Sequence, residues 1–119
     1  MCSNFTNDSC SAWSETVYRA RKLHVCSCCG GAIDRGQFYT RIFFVSRESA
    51  TAERECGDCT TMIAAFQAAH GMRWSPGAMS EALVECIDEE GADSEAGRRW
   101  EAELQAMAAR RYARKARTA

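Results

Sequence analysis

The chain has 119 residues, 46% of them apolar and 26% charged, with a net charge of −1. That is room for one domain, or for one small domain with appendages. The balance excludes wholesale disorder and gives no global charge excess to attract a nucleic acid or a membrane. No apolar run approaches the about 18 residues needed to cross a bilayer, and residues 1–20 lack the basic start and apolar block of a signal peptide. The expectation is a soluble cytoplasmic protein with no membrane partner.

Residues 1–19 read as an N-terminal arm in which Phe5, Trp13 and Val17 pack across the segment C-terminal to it. Residues 20–73 contain the densest signal. Cys26-Ser-Cys28-Cys29-Gly30 holds one Cys-x2-Cys pair and Cys56-Gly-Asp-Cys59 a second, with 26 residues between them. A two-residue spacer lets a tight turn bring both sulfurs to one side, with backbone amides facing them. Two such turns complete a tetrahedron around one Zn2+, with Zn–S distances of about 2.3 Å. Gly30 follows the first pair, where the turn calls for a positive φ. Cys28 reads as a bystander, because one-residue and adjacent spacings close poorly on a metal. Four thiolates fill the coordination shell, so the expected role of Cys26, Cys29, Cys56 and Cys59 is structural. A segment of about fifty residues builds too small a core to fold without such a staple.

Between the pairs, Asp34-Arg-Gly36 makes a turn. Gln37–Val45, rich in aromatic and β-branched residues, predicts a strand, and Ala50–Glu55 a return strand. Cys59 opens a helix that runs to His70, with Gly71 as its C-cap. A knuckle, a hairpin and a second cysteine pair at a helix N-terminus make an α+β, treble-clef-like zinc finger. Residues 74–119 read as a helical extension. Ser75-Pro76 starts one helix with Met79, Leu83, Cys86 and Ile87 on its apolar stripe. Ser94 caps another, carrying Trp100, Leu104 and Met107. Cys2 and Cys10 stand either as spectators or as partners of Cys86 or His70 in a second metal site. The simpler reading makes Cys86 a small core residue and His70 a helix-end residue.

Charge is uneven. Residues 1–97 carry 8 basic and 14 acidic side chains, while residues 98–119 carry 7 and 2. The acidic stretch around Glu85, Asp88 and Glu89 imitates nucleic acid, suits a basic protein surface, or is simply a solvated helix face. The basic helix with Arg110, Arg111 and Arg114 suits phosphates, or its charges are simply solvated. Strand alternation turns two of Phe38, Tyr39, Phe43 and Phe44 outward. Phe38, Arg41 and Phe43 are singled out as a possible interaction surface, unless the C-terminal helices cover it. A His-Asn-His-type nuclease would need histidines on the finger's first strand and helix. His24 and His70 are misplaced for that, and no other catalytic constellation is present.

The run Ala20-Arg-Lys-Leu-His24-Val-Cys26-Ser-Cys-Cys29-Gly30, with Ile33, Gly36, Tyr39, Arg41 and Cys56-x2-Cys59 beyond it, resembles small zinc-finger proteins of phages and prophages. The Met1-Cys2 start is similar too. The resemblance spans about residues 20–90. It implies Cys26, Cys29, Cys56 and Cys59 as ligands, leaves Cys28 aside and implies no catalytic activity. It points to a non-enzymatic module that binds a host protein or nucleoprotein complex, as an inhibitor of host regulation or of defence complexes such as CRISPR effectors. The alternatives are a small DNA- or RNA-binding regulator acting through residues 98–119 and a degenerate nuclease.

Overall fold

A computed structural model describes residues 10–46, 49–72 and 74–118. Strands β1 (Cys10–Arg19), β4 (Phe38–Ser46) and β5 (Ala50–Cys56) form an antiparallel sheet in the order β1-β4-β5. Between β1 and β4 lies a minimal hairpin of β2 (His24–Val25) and β3 (Ala32–Ile33). Helix α1 (Gly57–His70) follows β5 directly. A 3-10 turn (Pro76–Ala78), α2 (Met79–Glu90) and α3 (Glu95–Thr118) complete the chain. The α+β class and the three helices are as expected; among the described residues the single expected hairpin is replaced by a three-stranded sheet and a separate two-stranded one.

The segment expected as an arm is, from Cys10 onward, an edge strand. Trp13 faces Phe44 and stacks on it with ring centroids 5.2 Å apart. Phe5 and Cys2 lie outside the described residues. Cys10 is placed as a backbone position of β1, its side chain outside what is described.

Register assigns every side chain of the sheet to a face, because directly opposed residues point the same way. Thr40, Ile42 and Phe44 of β4 share one face with Glu53 and Glu55 of β5. The centre of that face is buried: Ile42 and Phe44 are closed off, and Thr60 of α1 bridges Thr40 and Glu55 through its hydroxyl at 3.2 and 3.0 Å. The 3-10 turn adds a bond from the Gly77 amide to Glu53 at 3.0 Å. Tyr39, Arg41 and Phe43 point the other way. The cover expected from the C-terminal helices is thus supplied to the sheet by α1 and the 3-10 turn, and on one side only. The predicted start of α2 at Ser75-Pro76 is this turn; regular helix begins at Met79.

The main core lies between the helices and the knuckle. Met62, Ile63 and Phe66 of α1 meet Met79 and Leu83 of α2 and Trp100 and Met107 of α3. Helix ends follow the expected signals. Gly71 adopts φ 77° and closes α1 onto Gln67 O, and the Ser94 hydroxyl accepts the Gly97 amide at 2.9 Å as the cap of α3. Gly97 is the helical residue that no side chain can replace, since a Cβ there would run into Gly91 O.

Candidate metal centre

The sulfurs of Cys26, Cys29, Cys56 and Cys59 all lie within 4.8 Å of one another. Each arrives for a local reason. The β2–β3 hairpin closes with the Cys26 amide bonded to Gly31 O and the Gly30 amide to Cys26 O, both at 2.9 Å, while Gly30 takes φ 75°. That turn puts Cys26 and Cys29 on one side. Cys56 ends β5, and Cys59 sits in the first turn of α1, where the free amides of the helix favour negative charge. Ser27 ties the two halves together: its amide reaches Arg54 O at 2.6 Å, and its hydroxyl accepts the Arg54 amide at 3.1 Å.

The environment suits thiolates. The Cys56 amide donates to Cys26 Sγ at 3.3 Å, the Gly31 amide to Cys29 Sγ at 3.3 Å and the Cys29 amide to Cys26 Sγ at 3.5 Å. Hydrogen bonds from Cys26, Cys56 and Cys59 hold the Cys29 thiol far below its ordinary value, helped by Arg110. Cys59, crowded first by Cys26 and then by the other sulfurs, is pushed up, as is Cys56. A tetrahedron with metal–sulfur bonds of about 2.3 Å has edges of about 3.8 Å. The Cys29–Cys56 sulfur separation of 3.9 Å matches that edge. The group can hold one metal ion, and four convergent sulfurs suit zinc, or iron, rather than calcium or magnesium. Among the described residues it is the only cluster of three or more possible ligands. Cys28 is buried at 8% exposure and outside the group.

One contributor is absent from any reading of the cysteine spacing. Arg110 of α3 donates from Nε to Cys29 Sγ at 3.4 Å and from Nη2 to Cys59 Sγ at 3.3 Å. Arg114, one turn on, donates to Gly30 O at 2.5 Å, and Arg117 forms a two-pronged bond with Asp34 at 2.8 and 3.4 Å. The approach is close: a Cβ on Gly31 would fall 2.9 Å from Arg110 Cβ, and one on Gly30 would fall 3.0 Å from Arg111 Cδ. Spacing of four, then three, puts Arg110, Arg114 and Arg117 on one helical stripe. The sequence offered that stripe, but nothing local in it marks the knuckle as its target.

The other expected residues fall in three places. Arg41 and Phe43 share the sheet face away from α1, with the Arg41 guanidinium 5.6 Å from the Phe43 ring. Phe38 is on the opposite face at the sheet's end, beneath Arg19. Glu85, Asp88 and Glu89 are exposed on α2, and Arg111 is exposed on α3. His24 lies against Tyr39, its pKa lowered by burial and then by Arg54 and Lys22. His70 sits beside Phe66 and places Nε2 3.5 Å from Cys86 Sγ. The pair expected as possible members of a second site does meet, but as two groups. Among the described residues no helix is long and apolar enough to cross a membrane. No protein-family model, curated protein or solved structure matches the chain.

Proposed function

We propose that the protein is a non-enzymatic binding module, a treble-clef-like zinc finger in which one Zn2+ is a structural staple. The observation that carries this reading is the closed sulfur group. Four thiols converge on one point, backbone amides bond two of the sulfurs, and Arg110 covers the outer side, so a bound ion has no position left for substrate or water. When bound, the ion supplies cross-linking free energy of about 10–16 kcal/mol rather than Lewis-acid chemistry.

The binding surface we assign to a protein partner is the acidic face of α2. Val84, 55% exposed, is surrounded by Ser80, Glu81 and Glu85, with Asp88 and Glu89 one turn on. An apolar centre within an acidic rim suits a basic protein surface. Together with the resemblance to phage zinc fingers, this supports a phage-encoded inhibitor that docks on a host defence or regulatory complex. The test is affinity capture from host extract with the wild-type chain and with Val84→Arg and Glu85→Lys variants. The reading predicts one host complex retained by the wild type and lost by both variants. Retention by all three, or capture of nothing, refutes it. A regulator that uses the C-terminal helix on phosphates is less favoured, because Arg110, Arg114 and Arg117 spend their hydrogen bonds on the knuckle.

A further inference from the structure

The sheet face turned away from α1 has a composition that folding alone does not explain. Its three rows, read across β1, β4 and β5, are Tyr18–Tyr39–Cys56, Thr16–Arg41–Arg54 and Ser14–Phe43–Ala52. The first row ends at the knuckle, and Tyr39 is buried there. The other two rows are exposed or half-exposed, in contrast to Ile42 and Phe44 on the opposite face. Tyr18 is 44% exposed, standing beside Tyr39 at 6.0 Å between ring centroids.

The central row sets two arginines directly opposite each other on neighbouring strands, and like charges so placed repel. No carboxylate among the described residues forms an ion pair with either. Arg54 Nε is also the one buried side-chain nitrogen or oxygen, among the described residues, left without a hydrogen-bond partner. That nitrogen is enclosed by the protein, so its missing bond adds to the cost of holding the two guanidinium groups side by side. The surroundings add positive charge. Tyr18 lines a cleft with Arg21 and Arg35, and the nearby Asp34 is already occupied by Arg117. The overall balance of −1 hides this local excess, because the acidic residues are concentrated after Ser49.

We propose that this face binds a single-stranded nucleic acid, with bases stacking on Tyr18 and Phe43 and phosphates meeting Arg41 and Arg54. Aromatic rings and guanidinium groups alternating across an open sheet give a stacking platform within a cationic track. An acidic peptide would satisfy the arginines but has no use for the two rings. A duplex keeps its bases stacked on each other and offers them no faces. The inference goes beyond the protein-docking role of α2 and stands independently of it, since the two surfaces share no residue.

The test is fluorescence anisotropy of the zinc-loaded full chain with a labelled oligo-dT and oligo-rA of about 16 nucleotides, the matching duplex, and a polyglutamate peptide, at several salt concentrations. The expected result is binding of the single strands with a negative salt slope, and weaker binding of duplex and peptide. Tyr18→Ala should weaken it about tenfold. Arg41→Gln should weaken it and make the slope shallower by about 0.7, the value of one lost phosphate contact on a single strand. The α3 double variant Arg111→Gln/Lys115→Gln should change little. Zinc content and circular dichroism of each variant establish that it is folded. Several outcomes overturn the proposal: no binding of single strands at low salt, polyglutamate or duplex bound as tightly, or loss caused by the α3 variant and not by Arg41→Gln.

Discussion

The two halves of α3 are held by different physics. The part up to Met107 is anchored by burial: Trp100 and Met107 sit in the core, Trp100 meets Phe66 edge to face at 4.9 Å, and Ser94 caps the start. The part beyond Met107 buries almost nothing. It is held by Arg110 on two sulfurs, Arg114 on a carbonyl and Arg117 on Asp34. The first attachment needs only the helices to be folded. The second needs the knuckle to have its shape, and so depends on whatever holds the four sulfurs together. One continuous helix thus joins the part of the molecule stabilised by apolar burial to the part gathered around the four sulfurs.

The largest test of that contrast is at the sulfurs. Cys26→Ser or Cys59→Ser should abolish metal binding and unfold the knuckle, forfeiting most of the about 10–16 kcal/mol that structural zinc supplies. Cys28→Ser should leave about one zinc per chain, and metal analysis beside circular dichroism separates the three. Next comes the apolar anchor. Trp100→Ala should cost about 3–5 kcal/mol in chemical denaturation while leaving metal stoichiometry unchanged in the folded fraction. Gly31→Ala forces a methyl against Arg110, and should cost about 1–3 kcal/mol. Its signature is faster amide exchange in residues 108–117 with little change in residues 98–107. Arg110→Gln should produce the same localised loosening and make zinc easier to strip with a chelator, because two bonds to sulfur are lost. If exchange rises equally along the whole helix, the two halves are one cooperative unit and the contrast fails. The smallest effect belongs to Arg117→Gln, an exposed pair with Asp34, whose loss should be visible in exchange at the helix end and not in the melting temperature.

Much of the cysteine-bearing region was legible because its signals are local. The cysteine spacing, Gly30, the Asp34–Gly36 turn and Gly71 each dictate a conformation within a few residues. Phe38–Val45 marks its strand by composition. The strand from Cys10 was not legible. Most of its described side chains are exposed, including Ser14, Glu15 and Thr16, so no buried alternation announces it; pairing with β4 makes it a strand. The Arg110 contacts are a different case. They join residues 81 and 51 positions apart, and an arginine on a basic helix carries no sign of whether it will meet solvent, phosphate or sulfur. The sheet's second face required register. The sequence supplies Arg41 and Arg54, but only the pairing sets them side by side.

The contact between Gly97 and Gly91 O makes the α2–α3 joint a fixed elbow, with no slack for even one methyl group. The acidic arm is therefore held at a set angle to the arginine-studded one. Widening that corner by a single carbon would force the two helices apart against backbone, and would cost more than the milder clash at Gly31.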